Sequence, residues 1–131
     1  VDLDENDIYL GDQFQLDEAI VEVSEIREPC WKIQEKYNIP DLVKRMSRSC
    51  KTGFYLRVIK EGFVNDAANL ELIHSSNTHM PLTVFELNDI YYNDNKNIRR
   101  LTDALKNPYL TDERHLKLQK FLKRAQNIAE K

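Results

Sequence analysis

The residue best suited to chemistry is Cys30, in the run Ser24-Glu25-Ile26-Arg27-Glu28-Pro29-Cys30-Trp31-Lys32. A thiol on a rigid bend after a strand can be held at the rim of a pocket. Arg27 and Lys32 flank it, and cations favour the thiolate, the form that attacks electrophiles and binds soft metals. A helix starting near Trp31 would add to this effect through its N-terminal dipole. The alternative is a buried structural cysteine beside two solvated bases, because free cysteine is among the most buried residue types.

Other reactive side chains are less suggestive. Cys50 ends a basic run, Ser47-Arg48-Ser49-Cys50-Lys51, and no CxxC spacing supports a redox couple with Cys30. His74, His79 and His115 show no ligand spacing and read as surface or boundary residues. HExxH, GxSxG, P-loop and GxGxxG motifs are all absent. The acidic residues near the start lack the loop pattern of a calcium site and read as a solvated face. Arg45, Arg48, Lys51 and Arg57 could line an anion site. Arg57 lies within an otherwise apolar strand, so its side chain must face solvent or a pocket; plain alternation on a strand with one wet face is the simpler account.

The charge is distributed unevenly. The 131 residues carry a net charge of −3. Residues 1–30 hold Asp2, Asp4, Glu5, Asp7, Asp12, Asp17, Glu18, Glu22, Glu25 and Glu28 against Arg27 alone. Residues 31–60 hold Lys32, Lys36, Lys44, Arg45, Arg48, Lys51, Arg57 and Lys60 against Glu35 and Asp41. Cys30 marks the boundary. The overall acidity argues against stable nucleic-acid binding, while the local basic block suits one anionic small molecule. With 41% apolar and 31% charged residues, the chain reads as a folded globular protein rather than a disordered or membrane-spanning one. Two cysteines make no disulfide framework, so a reducing, cytoplasmic setting is expected.

The elements that must position these residues are legible by period and punctuation. Ile8-Tyr9-Leu10, a Gly11-Asp12 turn, and Phe14 and Leu16 in alternation predict β-structure. Asp17-Glu18 is a turn, and Ala19 to Val23 is a strand with a half-buried face. Residues 31–37 fit a short helix or an irregular loop. Residues 41–49 predict a helix with Leu42, Val43 and Met46 on one side and Pro40 near its start. Phe54 to Lys60 and Leu70 to Ile73 predict two further strands. Ser75-Ser76-Asn77 and Pro81 signal a loop, and everything beyond reads as helix. Thr83-Val84-Phe85-Glu86 is a capping box, with Val84, Leu87 and Tyr91 on one face. A second helix from about Asn97 turns Ile98, Leu101 and Leu105 inward and ends at Asn107-Pro108. Thr111 caps a third, with Asp112 and Glu113 suited to its first turn and Leu118, Leu122, Ala125 and Ala129 as its apolar stripe. The class is therefore α+β: a mainly β segment over residues 1–76, then a three-helix all-α unit over residues 81–131.

These segments, taken in order, resemble the C-terminal part of a MOSC domain, the molybdenum cofactor sulfurase C-terminal family. The likeness is carried by Ile8-Tyr9-Leu10-Gly11-Asp12-Gln13-Phe14, Glu18 to Ser24, Arg27-Glu28-Pro29-Cys30-Trp31-Lys32, Gly53 to Val58 and Glu61-Gly62-Phe63-Val64. The three C-terminal helices look like the appendage of the YiiM-like branch. The resemblance implies a β-barrel-like domain that binds the molybdenum cofactor (molybdopterin), with Cys30 as the molybdenum ligand. It further implies reduction of N-hydroxylated compounds such as hydroxylaminopurine base analogues, independent of pyridoxal phosphate. Arg27, Lys32 and Arg57 become candidates to hold the anionic pterin phosphate or to orient substrate. Electrons would come from a separate reductase, since no flavin, haem or iron–sulfur signature is present. A homodimer is compatible with this reading. Two alternatives stand beside it: a sulfur carrier using a Cys30 persulfide, and a non-catalytic interaction module. The family's upstream His-Gly-Gly and Gly-Glu-Asn segments are not found here, and Glu25-Ile26 replaces its usual Gln-Pro. The barrel is therefore expected to be open, with unpaired strand edges.

Overall fold

The computed structural model describes residues 4–30, 32–76 and 81–130. Trp31, Asn77 and His79, read above as a helix start, a loop residue and a surface or boundary histidine, lie outside the described residues. Four strands, β1 (Gln13–Leu16), β2 (Ala19–Ile26), β3 (Phe54–Lys60) and β4 (Leu70–His74), form one antiparallel sheet in the order β3-β2-β1-β4. Two short helices, α1 (Lys32–Tyr37) and α2 (Leu42–Ser49), sit in the connection between β2 and β3. Three more follow the sheet: α3 (Val84–Asn93), α4 (Ile98–Leu105) and α5 (Asp112–Ala129). The mixed α+β class expected from the sequence is the one observed.

The β1–β2 hairpin closes through Asp17 and Glu18, with Leu16 opposite Ala19. Asp17 takes the left-handed conformation that such a tight turn demands, at φ 54°, and aspartate tolerates it better than most side chains. In β2 the buried apolar positions run Ala19, Val21, Val23 and then Ile26, one step out of phase. The cause is an irregularity at Ser24: Val23 pairs with Leu56, but Glu25 pairs with Tyr55. One extra residue in a ladder shifts the side-chain alternation beyond it. Ile26 thereby enters the core, and Glu25 turns towards α5.

The expected Ile8–Leu10 strand is reduced to a single bridge between Tyr9 and Thr83. Leu10 N–H donates to the Leu82 carbonyl at 2.9 Å and Val84 N–H to the Ile8 carbonyl at 2.9 Å. The segment thus splices the chain start to the approach of α3. Ile8, Leu10, Phe14, Val21, Val23 and Ile26 share one apolar cluster with Leu82, Val84, Leu87, Leu101, Leu118 and Ala125. The β segment and the three helices therefore bury a common core.

Helix starts follow the sequence closely. Thr83, Asn97 and Thr111 accept backbone N–H bonds from Glu86, Arg100 and Arg114, the usual satisfaction of orphan donors. The Glu86 carboxylate differs from the expected box, accepting instead from the Thr83 hydroxyl at 3.3 Å. Ile98, expected inward, is 37% exposed, and Ala129 is exposed. Both sit at a helix end, where the stripe overhangs the partners that bury Leu101 and Leu118.

The outer strands are bare. Tyr55, Leu56, Val58 and Ile59 of β3 and Leu72 and Ile73 of β4 are all exposed. Each of these strands is paired on one side only, so the sheet is open at both edges.

Candidate functional site

Cys30 lies four residues beyond Ile26, the last residue of β2, on an irregular arm leading to α1. Its thiol is free and exposed. Arg27 N–H donates to the Gly53 carbonyl at 3.2 Å, pinning the arm's root to the start of β3. The Cys30 carbonyl accepts from Ile33 N–H at 3.0 Å, joining the arm to α1. Arg27 and Lys32 are both exposed, and neither forms an ion pair among the described residues. An accessible thiol flanked in sequence by two cations without ion-pair partners among the described residues suits the donor chemistry of a soft-metal ligand next to an anion.

Between its root and Cys30 the arm is tied by a carboxylate. Glu28 Oε1 accepts from Arg114 Nη1 at 2.9 Å and from Lys117 Nζ at 3.0 Å, both on α5. Arg114 Nε donates to Glu25 Oε1 at 3.0 Å, and the Thr111 hydroxyl donates to Glu25 Oε2 at 2.7 Å. The guanidinium also lies 4.4 Å from the centre of the Tyr91 ring, a cation–π arrangement.

The Arg114 side chain is only 5% exposed. Burial by itself would depress its pKa, but Glu25 and Glu28 outweigh that and raise it above its ordinary value. Burial raises the Glu28 carboxyl, while the hydrogen bonds from Lys117 and Arg114 bring it below its ordinary 4.5. Beside them, the Tyr92 hydroxyl is buried without a partner among the described residues, and burial pushes it well above its usual range.

The other sequence candidates are distributed elsewhere. Cys50 is 1% exposed and occupies the left-handed C-cap of α2, at φ 61°. Its sulfur lies 3.4 Å from Asn93 Nδ2 and 3.9 Å from Asp89 Oδ1. Burial and the Asp89 carboxylate push its thiol up. Arg57, on the edge strand β3, sits opposite Glu22 of β2, with an Nε–Oε1 distance of 3.6 Å. The two border a shallow depression of about 320 Å³ under the 108–112 loop. Arg45 pairs with Asp41 of its own helix start, and Arg48 and Lys51 are exposed. Among the described residues no group of three or more His, Cys, Asp and Glu side chains could hold a metal.

Sequence reasoning did not single out Arg114, Glu25 or Glu28. The available signal was position: Arg114 lies one helical turn before Leu118, on the apolar stripe of α5.

The MOSC domain family model matches residues 1–70. The YflK protein of Bacillus subtilis is 38% identical over 110 residues, covering 84% of this chain and 49% of YflK. A reductase of Gibberella moniliformis is 35% identical over 71 residues, 53% of this chain and 12% of that protein. The crystal structure of YiiM from Geobacillus stearothermophilus superposes with a TM-score of 0.83 at 34% identity, over 92% of this chain and 60% of that one. The chain thus spans about half the length of YflK.

Proposed function

The chain belongs to the MOSC domain family, and from that premise we propose that it binds a molybdenum cofactor through Cys30 and serves the reduction of N-hydroxylated compounds, hydroxylaminopurine base analogues among them. The observation that carries this reading is the free, exposed Cys30 thiol, flanked in sequence by the exposed cations Arg27 and Lys32. Molybdenum is soft enough to take a thiolate, and a pterin phosphate would be held by charge-assisted bonds. When bound, the cofactor supplies a metal that changes oxidation state. Arg27 and Lys32 would hold the phosphate. Arg57, on the sheet, would orient substrate or a more distant part of the ligand. The net reaction takes R–NHOH, two electrons and two protons to R–NH2 and water, so an external electron donor is required. A separate reductase is the proposed partner. The similarity to the Gibberella moniliformis reductase is in keeping with this chemistry. A cytoplasmic location is proposed with it; among the described residues no helix is long and apolar enough to cross a membrane.

The test is the metal content of protein purified without oxygen. Molybdenum should accompany the wild-type protein and be lost from Cys30→Ser. Equal molybdenum in both would remove Cys30 from the reading. The exposure of Cys30 also supports a second reading, a sulfur carrier with a Cys30 persulfide. Mass spectrometry would then find a reducible sulfur adduct on Cys30 and no molybdenum.

A further inference from the structure

We infer that Arg114 is a positioning residue for Cys30: its guanidinium bridges Glu25 at the end of β2 to Glu28 two residues before the thiol, so that α5 fixes where the sulfur stands. The significance of that placement rests on the reading of Cys30 as a ligand; the bridge itself does not.

The argument starts from how little else holds the arm. Arg27 is bonded through its backbone to Gly53, and the Cys30 carbonyl to Ile33. Among the described residues, the side chain of Glu28 provides the only other hydrogen bonds or ion pairs of residues 28–30. Pro29, which follows, has its φ locked by the ring. Once the Glu28 side chain is fixed, few torsions remain between it and Cys30. The Arg114 guanidinium bonds both carboxylates, Nε to Glu25 and Nη1 to Glu28. A planar fork holds the two carboxylates in a fixed relative geometry, which a flexible ammonium does less well. Glu25 belongs to the sheet, where its neighbour Ile26 is 1% exposed, so the bridge references the arm to the rigid part of the fold. Lys117 adds a second donor to Glu28 from one turn further along α5. The helical unit is therefore tied to the arm that presents the thiol.

A nitroxide attached to Cys30 reads this directly. Cys50 is 1% exposed and stays unlabelled in folded protein, with Cys30→Ser as the blank. The label should be motionally restricted in the wild type. Glu28→Gln should convert much of that spectrum to a mobile one while the protein stays folded at the measuring temperature, because the Glu28 side chain is 39% exposed and carries little of the core. Arg114→Met should free the label as well, with a lower thermal midpoint, and Arg114→Lys should recover only part of the restriction. Should Arg114→Met fail to fold, Glu28→Gln carries the test. An unchanged Cys30 spectrum in Glu28→Gln overturns the proposal. So does equal loosening of a nitroxide at Lys123→Cys on the outer face of α5, which marks a general structural role. The functional reading fails separately, through molybdenum retained in Cys30→Ser, whatever the label does.

Discussion

Arg114 Nη1 stands 2.9 Å from Glu28 Oε1 across 86 residues of sequence. The same side chain reaches Glu25 and is 5% exposed, so its positive charge is neutralised within the protein rather than by water. Removing one member of a buried ion pair leaves the others desolvated and unmatched. Arg114→Met should therefore destabilise the fold by roughly 3 kcal/mol. Urea unfolding should show a lower midpoint with an unchanged slope.

Acid should weaken the same cluster. The folded-state pKa of Glu28 lies below 4.5, so its ionic contribution is complete above that value and is lost as pH falls through the lower folded pKa. Stability should fall with acidification below about 4.5, and Glu28→Gln should lack this component. Urea midpoints measured from neutral to acid pH in both proteins provide the check. Parallel curves would mean that the Lys117 and Arg114 bonds do not favour the carboxylate.

The two thiols should separate cleanly. Cys30 is exposed, whereas Cys50 is buried with its thiol pushed up by burial and Asp89. Reaction with a chromogenic disulfide should give one fast thiol in native protein and a second only in denaturant. Mass mapping should place the fast one at Cys30. Two fast thiols would contradict the packing of α2 on α3.

Asn88 is fully buried and joins α3 to the α2–β3 connection. Its Oδ1 accepts from the Thr52 hydroxyl at 3.2 Å, and its Nδ2 donates to the Cys50 carbonyl at 3.3 Å. Asn88→Ala would strand both groups, at about 1–3 kcal/mol for each buried polar group left unsatisfied. Thermal unfolding should show the loss, and amide exchange near Thr52 should accelerate.

Gly11 should resist substitution for two reasons. Its φ is +89°, and an added Cβ would lie 2.5 Å from the Tyr109 ring. Gly11→Ala should destabilise by at least about 1 kcal/mol from the backbone alone, with more from displacing the ring. Tyr109→Ala should relieve the steric part, so a double-mutant cycle should give a clear coupling.

The sequence by itself determined the local structure. Thr83, Asn97 and Thr111 start their helices through bonds to residues three positions on, and the Asp17-Glu18 turn closes its hairpin through its own backbone. Each of these interactions spans a few residues, so residue type and spacing are enough to reveal it. The candidacy of Cys30 is legible for the same reason, since Pro29, Arg27 and Lys32 are its near neighbours in the chain. The tertiary structure alone decided that Arg114 is buried, that Glu25 and Glu28 are its partners, and that Cys50 packs against α3. It also shifted the phase of β2 at Ser24 and left β3 and β4 bare at the edges of the sheet. These outcomes depend on groups dozens of residues apart meeting across a common core. A charge on an apolar stripe, such as Arg114, has the same local sequence whether or not a distant carboxylate arrives to neutralise it.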